Sequence, residues 1–366
     1  MAVKTRLFAL DFLRGLCLIL MTMDHLPRNV LWRFRNTLFG PFGFFTAASA
    51  FVFISGLASA RSYGSIYEFA GARMAWKRVV QRAIQLYAAN TALLLAIFAG
   101  IAFHILHGKQ WESQFPRFFD IPKNAFLDVL LLLYRPGYFD ILPMYVLFML
   151  VVVPTLAAVR RGLGPYVVAI SVLIWLLAQL SEQHREAFNP FGYQILFVTG
   201  LVLGGSDSFS SRFLPSETAR RLAQTCAVGV FVFFMLRLSL TLFGSMSPSI
   251  VGWHFLTHLE NNGPLRLLNF ALLAYVVAWI WAHTPKSSLS GNIAAQWIAC
   301  LGRHSLFVFL WSIAATYVSI SLMPDQTGRG WAILDMLLTI SSLAIPVLAG
   351  ERLRRDREVS GLARIH

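Results

Sequence analysis

Long apolar segments recur along the whole of this chain, and they limit its possible folds more than any other feature. Each has about 20 mostly apolar residues, enough for a helix to cross the ~30 Å hydrocarbon core of a bilayer. With 57% hydrophobic and only 13% charged residues and a mean hydropathy of +0.63, the chain is far more apolar than a soluble domain. The sequence therefore excludes a soluble monomer and predicts an all-α, polytopic integral membrane protein.

Ten apolar segments are candidate transmembrane helices. They cover residues 7–26, 41–60, 80–103, 138–159, 165–181, 190–205, 222–244, 265–284, 304–323 and 331–350. An even number places both termini on one side, and the predicted loops on that side hold about twice as many Lys and Arg residues as the others. Because positively charged loops stay in the cytoplasm, we expect the N-in/C-in topology. We expect one domain over residues 1–366, with a basic cytoplasmic tail at 351–366.

Two shorter apolar stretches, residues 125–134 and 293–301, fit spanning helices poorly because Gly and Arg follow each of them. We interpret them as re-entrant or interfacial segments. Such segments survive at membrane depth only where protein or a watery cavity satisfies the backbone, which hints at a central cavity.

The chain carries a formal net charge of +14, from 31 Lys and Arg against 17 Asp and Glu. In a membrane protein this excess indicates topology and contact with lipid headgroups, so membrane lipids are expected partners and nucleic acid is not. Cys17, Cys226 and Cys300 lie in apolar segments without disulfide or metal-ligand spacing, and we expect them to be packing residues. Motifs for nucleotide hydrolysis, serine esterases and metalloproteases do not occur.

Four ionisable residues interrupt the first apolar segment: Asp11, Arg14, Asp24 and His25. Each Asp or Arg near the bilayer centre costs about 2.5–3.5 kcal/mol on the insertion scale. At 100° per residue, Asp11, Arg14 and His25 share one face of the helix, which should therefore line the interior of the bundle. Arg14 and His25 lie about 16 Å apart along the axis, the cation deep on the inner side and the imidazole near the outer side.

This spacing suits an elongated anionic substrate that Arg14 binds while its reactive end meets His25. Histidine is the side chain whose ordinary pKa lies nearest neutrality, so it suits general-base catalysis, and acyl transfer fits the layout. A structural alternative is an Asp11–Arg14 ion pair with His25 as an interfacial residue. A functional alternative is a transporter or flippase in which Asp11, Arg14 and His25 form a proton-coupled relay.

The run LDFLRGLCLILMTMDH (residues 10–25) resembles the start of the membrane acyltransferases of family three, which is marked by an Arg, ten residues and a His. More closely, the whole chain resembles the OpgC family. The segments that carry the resemblance are FGFFTAASAFVFISGL (42–57), YFDILPMYVLF (138–148), NPFGYQILFVTG (189–200), GPLRLLNFALLAY (263–275) and LGRHSLFVF (301–309).

The resemblance implies ten membrane spans in the bacterial inner (plasma) membrane and transfer of a succinyl group to osmoregulated periplasmic glucans. The donor would be cytoplasmic succinyl-CoA, used as a substrate with no tightly bound cofactor, and the acceptor a periplasmic glucan or other saccharide. Acyl-CoA contact is carried over to Arg14 and catalysis to His25. Family motifs often place an acidic residue in the second span, where this chain reads Ala48-Ser49-Ala50-Phe51, which leaves the acyl group and the acceptor open.

Several cations are candidates for binding the CoA phosphates. Arg73, Lys77, Arg78 and Arg82 follow Gly71 on consecutive helical turns at a predicted cytoplasmic membrane edge. Anchoring to lipid headgroups explains them equally well. Arg303, at the inner end of the ninth span, is expected either to contact the donor or to extend its charge to the membrane surface.

On the predicted outer side, Asp140 is the candidate to orient His25 as a second catalytic residue. The alternative is that Asp140 caps the helix that Pro143 joins in its first turn. Asp24, His254 and His258 are candidates for contact with the acceptor, and a plain polar loop is the alternative for the two histidines. Their four-residue spacing permits a metal site without requiring one, and we expect no metal.

Overall fold

The computed structural model describes residues 8–25, 43–103, 105–106, 109–180, 188–206, 216–242, 253–284, 291–322 and 329–362. Every regular element in these ranges is a helix. The all-α prediction is confirmed for the described part of the chain.

The helices, in chain order, are α1 (Phe8–His25), α2 (Ala47–Ala102), α3 (Lys109–Gln114), α4 (Pro116–Asp120), α5 (Pro122–Leu130), α6 (Ile141–Arg160), α7 (Gly164–Gln179), α8 (Pro190–Gly205), α9 (Glu217–Leu242), α10 (Trp253–Thr257), α11 (Pro264–His283), α12 (Ile293–Arg303), α13 (Ser305–Leu322) and α14 (Arg329–Leu362). The predicted segments 125–134 and 293–301 correspond to the short helices α5 and α12. The predicted tail is helical as far as Leu362.

Within the described ranges, five helices are long and apolar enough to cross a membrane, which indicates a membrane protein. They are Ala47–Ala102, Ile141–Arg160, Glu217–Leu240, Pro264–His283 and Ser305–Leu322, and the shorter apolar helices α7 and α8 add to them. Helix α1 is not among the five, since its 18 residues include Asp11, Arg14 and Asp24. Ten spans and the N-in/C-in orientation stay predictions.

Helix α2 joins two of the predicted spans, 41–60 and 80–103, in one long segment. Its 56 residues would measure about 84 Å if straight, far more than one bilayer crossing requires. The backbone breaks at Gly71, with φ 77° and ψ 171°, a left-handed conformation that glycine adopts without steric cost. The break divides α2 into two halves and places the basic cluster at the start of the second half.

Contacts between Cα atoms divide the chain into two compact units, which hydropathy did not predict. The first comprises Met1–Arg35, Gly100–Trp111 and Lys286–His366, and the second Asn36–Ala99 and Glu112–Pro285. The first unit therefore contains α1, α12, α13 and α14 with the last turn of α2 and the start of α3, and the second contains the rest of α2 and α3 and the helices from α4 to α11.

In the first unit, α1 and α12 pack with their backbones in contact. A Cβ atom added at Gly15 would lie 1.8 Å from the carbonyl oxygen of Ile298, and one added at Gly302 would lie 1.8 Å from that of Asp11. Such close approach of two helices in an apolar setting requires small residues at the crossing. The two glycines thus fix α12 against the charged part of α1.

In the second unit, α8 packs between α2 and α6. Added Cβ atoms at Gly56 and Gly200 would lie 2.1 and 2.3 Å from backbone carbonyl oxygens on the opposite helix. Beside this crossing, the ring of Phe197 on α8 stacks on that of Phe148 on α6, with centroids 5.1 Å apart. The Tyr145 hydroxyl donates to the carbonyl of Phe51 at 3.1 Å, which joins α6 directly to α2.

Candidate functional site

The polar face of α1 is buried, as its periodicity predicts. Asp11, Thr22 and His25 are 7%, 1% and 9% exposed, and Arg14 is half-buried. Leu16, on the opposite side of the helix, is exposed. The ionisable side chains thus face protein within the first unit, which reverses the usual preference of charged residues for the surface.

Arg14 is positioned by the start of α13. Its Nη2 atom donates a hydrogen bond to Oγ of Ser305 at 2.7 Å. Ser305 is buried and follows the turn after α12, which the contact between Gly302 and Asp11 holds against α1. Sequence reasoning missed Ser305, although it lies in the LGRHSLFVF segment beside the candidate Arg303.

His25 lies at the end of α1 against the same helix, α13. Its ring meets the ring of Phe309 edge-on, with centroids 6.0 Å apart, and Phe309 is one helical turn beyond Ser305. The hydroxyl of Thr22, one turn before His25, donates to the carbonyl of Leu18 at 2.8 Å. Helix α13 therefore contacts α1 at both residues that the sequence singled out, Arg14 and His25.

Asp140 belongs to the second unit, and its pairing with His25 stays a prediction. It is buried and directly precedes α6, but its side chain makes no capping hydrogen bond. Instead its Oδ2 atom accepts a hydrogen bond from the backbone N–H of Phe188 at 3.4 Å. The capping alternative is thus not the role that the carboxylate takes.

The two halves of α2 form a basic pocket of about 400 Å³ beside the break at Gly71. It is lined by Tyr63, Ile66, Arg78, Gln81, Arg82 and Gln85. Both charged lining residues are arginines, and Nη1 of Arg82 donates to Oε1 of Gln85 at 3.4 Å. Arg78 and Arg82 are therefore brought together, whereas Arg73 and Lys77 are exposed on the same helix and do not line the pocket.

Nearby acidic charge is neutralised by an ion pair. Glu68, on the first half of α2, pairs with Arg160 at the end of α6. The pocket is therefore left with a positive lining. It suits a ligand that carries phosphates and a planar ring, because arginines bind phosphate oxygens in pairs and Tyr63 offers a face for stacking.

Arg303 contacts an acidic partner within the first unit. Its Nη2 atom donates to Oε1 of Glu351 at 3.2 Å, with 32% and 21% of the two side chains exposed. Sequence reasoning placed Glu351 in a tail and did not predict the pair. Donor contact by Arg303 stays a prediction, and it requires the guanidinium to share its charge with Glu351.

The candidate acceptor residues are divided between the two units. Asp24 is half-buried on α1. In the second unit, Nδ1 of His258 lies 3.5 Å from Oε2 of Glu260, both side chains being about four-fifths buried. His254 lies in α10, but its side chain is outside the described part of the chain. Contact of any of the three with an acceptor stays a prediction.

A hydrogen-bond network that the sequence did not reveal fixes the loop around His258. Asn189, at the start of α8, donates through Nδ2 to Oδ1 of Asn261 at 2.8 Å. Gln179 donates to the carbonyl of Asn261 at 2.8 Å, and the Tyr193 hydroxyl donates to that of Leu259, also at 2.8 Å. The asparagines just before prolines in NPFG and NNGP, adjacent in the first and two or three residues ahead in the second, were the available signal. The network holds His258 and Glu260 on a rigid support.

Several helices are apolar enough to cross a membrane, and α1 carries a buried, charged face inside the first unit. Together these features define a helical membrane protein with a polar site inside one of its units. A family model described as OpgC protein matches residues 6–357, nearly the whole chain. The chain belongs to the OpgC family. Membership indicates a role in the modification of osmoregulated periplasmic glucans and a transferase that acts on glucans.

No curated protein and no solved structure gave a significant match. The likeness of α1 to the membrane acyltransferases of family three stays a resemblance, based on Arg14 and His25.

Proposed function

We propose that this protein is a membrane O-acyltransferase that moves an acyl group, succinyl in the first instance, from cytoplasmic acyl-CoA to a hydroxyl of a periplasmic glucan. The observation that supports it most is the buried face of α1, which carries Arg14 and His25 in a chain of the OpgC family. Burying a cation and an imidazole in an apolar helix is costly, and such residues usually serve function.

The donor is bound through its negative charge. In the proposal, Arg14 contacts an anionic part of acyl-CoA, and Ser305 positions its guanidinium by accepting a hydrogen bond from Nη2. Arg78 and Arg82 bind phosphates in the basic pocket, where Tyr63 stacks on the base. Arg303 adds a further contact.

His25 acts as general base. It takes the proton of the glucan hydroxyl as that oxygen attacks the thioester carbonyl, forming a C–O bond and a tetrahedral intermediate. The C–S bond then breaks, and the CoA sulfur leaves with a proton from the imidazolium. The products are an ester on the glucan and free CoA thiol, and His25 returns to its neutral form. Asp140 is proposed to orient the imidazole, and Asp24, His254 and His258 to contact the acceptor.

The test is release of free CoA thiol by purified full-length protein in detergent, with succinyl-CoA or acetyl-CoA and with or without a glucan acceptor. We expect acceptor-dependent release with one donor and a loss of at least about 10²-fold in His25→Ala, as general-base catalysis predicts. The matched control is His283→Ala, since His283 is exposed on α11 and its ring contacts its own helix.

Normal release by His25→Ala would overturn the assignment of the base. Absence of thiol release with either donor, from folded protein, would overturn the transferase and favour the transporter alternative, which uses no acyl-CoA. Uptake of solute into proteoliposomes would then be the measurement.

A further inference from the structure

A cluster of three potential metal ligands lies in the first unit, where α12 meets α14. Cys300, His304 and Glu351 each offer one ligand atom, and these atoms all lie within 4.8 Å of one another. Oε1 of Glu351 is 3.1 Å from Sγ of Cys300 and 3.2 Å from Nε2 of His304. The proposed function assigns no role to these three residues.

We propose that Cys300, His304 and Glu351 bind a zinc-class transition-metal ion that fastens the turn between α12 and α13 to α14. Thiolate, imidazole and carboxylate are all zinc ligands, whereas Mg²⁺ and Ca²⁺ prefer oxygen alone. Three protein ligands leave the fourth tetrahedral position for water or another small ligand.

Two of the three ligand-atom separations fit such an ion after small shifts, and the third, between Sγ of Cys300 and a ring nitrogen of His304, is at most 4.8 Å and closes as the side chains turn toward the ion. Zinc bonds of about 2.0–2.3 Å at tetrahedral angles separate neighbouring ligand atoms by about 3.4–3.6 Å. The two separations from Oε1 need to widen by less than about 0.5 Å to reach this geometry. Binding releases one proton from the Cys300 thiol, since the thiolate is the ligand, while Glu351 binds as a carboxylate and the imidazole as a neutral ring.

Two neighbours support the site. Gly350 allows the imidazole of His304 to lie against α14, because a Cβ atom there would lie 2.4 Å from Nδ1. Arg303, which hydrogen-bonds to Oε1 of Glu351, is able to move to the second carboxylate oxygen and orient it, as residues behind a metal ligand commonly do. Arg303 also opposes the metal's charge, so we expect weaker affinity than in a structural zinc finger.

A metal ion bound at this site would affect the position of Arg14 on α1 through Ser305. The metal would fix His304, and the next residue, Ser305, accepts the hydrogen bond from Arg14. A bound ion therefore fixes the turn that positions the Arg14 guanidinium.

The test uses the full-length protein in detergent, stripped with a chelator and titrated with Co²⁺ as a spectroscopic substitute for zinc. We expect one equivalent to produce thiolate-to-cobalt charge-transfer absorption and the visible bands of a tetrahedral site, both removed by added Zn²⁺. Cys300→Ser should lose the charge-transfer band, and His304→Ala and Glu351→Gln should weaken binding at least tenfold.

Cys226→Ser is the matched control, because Cys226 is also a buried free cysteine but lies on α9 in the second unit. It should bind cobalt as the wild type does. Monodisperse wild-type protein without a thiolate band would overturn the proposal, whatever the variants do. A wild-type spectrum from Cys300→Ser would also overturn it. Neither reading depends on transferase activity, so this proposal and the proposed function fail separately.

Discussion

Arg14 and Ser305 are separated by 291 positions in sequence and by 2.7 Å in space. A guanidinium in an apolar helix needs hydrogen-bond acceptors, because an unsatisfied buried polar group loses the interactions it had with water. The Ser305 hydroxyl accepts a hydrogen bond from one N–H of the Arg14 guanidinium and so fixes its position on α1. Ser305 is thus a positioning residue for the proposed donor contact.

Replacing Ser305 with Ala should raise the KM for acyl-CoA about fivefold, the equivalent of one hydrogen bond of about 1 kcal/mol, and change kcat less. Steady-state thiol release measures both constants. Ser312→Ala is the control, since the Ser312 hydroxyl is also buried on α13 but donates to the carbonyl of Phe309 in its own helix. An unchanged KM in Ser305→Ala would argue against the positioning role.

The arginines of the basic pocket on α2 either bind the phosphates of acyl-CoA or anchor the helix to lipid headgroups, and substitutions distinguish the two roles. Arg78→Gln and Arg82→Gln should each raise the KM for acyl-CoA by about tenfold if they bind phosphate, and the effect should shrink at high salt because charge attraction is screened. Arg161→Gln, an exposed arginine just after α6, is the matched control. Equal KM values in all three variants would favour lipid-headgroup anchoring instead.

At the scale of elements, α12 illustrates why a short helix can be indispensable. It has 11 residues, too few to cross a bilayer, yet it packs backbone to backbone on α1. Its end at Arg303 and the start of α13 at Ser305 set the turn that meets Arg14. Sequence periodicity identifies such a helix as irregular, and only packing shows what it supports.

Gly302→Ala should therefore destabilise the protein more than an ordinary substitution. The added Cβ atom meets the backbone of α1, which cannot move aside like a flexible side chain, and overpacking typically costs about 1–3 kcal/mol or more. Thermal unfolding in detergent should show a lower Tm and weaker acyl-CoA use.

Gly64→Ala is the control, since its Cβ would lie 3.8 Å from the nearest atoms, an ordinary contact. If Gly302→Ala and Gly64→Ala have the same Tm as the wild type, the close packing of α1 on α12 is wrong.

At the scale of the whole molecule, the number of spans and the N-in/C-in orientation are predictions that cysteine labelling tests. With ten spans and cytoplasmic termini, Lys123 should face the periplasm and Arg161 the cytoplasm, and both side chains are exposed. The three native cysteines are buried, so they should give little background.

A membrane-impermeant thiol reagent that enters the periplasm should label Lys123→Cys in intact cells and Arg161→Cys only after the inner membrane is opened. The reverse pattern would require the opposite orientation. Labelling of both in intact cells would mean a different number of spans between the two positions.

Hydropathy was enough to predict the helical class and the boundaries of several helices. Predicted segments 190–205 and 265–284 agree with α8 and α11 to within one residue, because an apolar helix must satisfy every backbone group internally and ends where polar residues begin. The same reasoning predicted that Asp11 and His25 share a buried face. It also predicted two segments, 41–60 and 80–103, which lie one in each half of α2, but it did not show that the two halves extend through charged residues to meet at Gly71.

The sequence by itself thus determined that this protein is a helical membrane protein with a charged face on its first helix, since length, hydropathy and a 3.6-residue period are local properties. The match of residues 6–357 to the family model placed the chain in the OpgC family. Only the tertiary structure decided that Ser305 holds Arg14 and that Asp140 bonds to Phe188 rather than capping α6. It also brought Glu351 to Cys300 and His304. These contacts join residues far apart in the chain, and they depend on which glycines let helices approach, which no local pattern encodes.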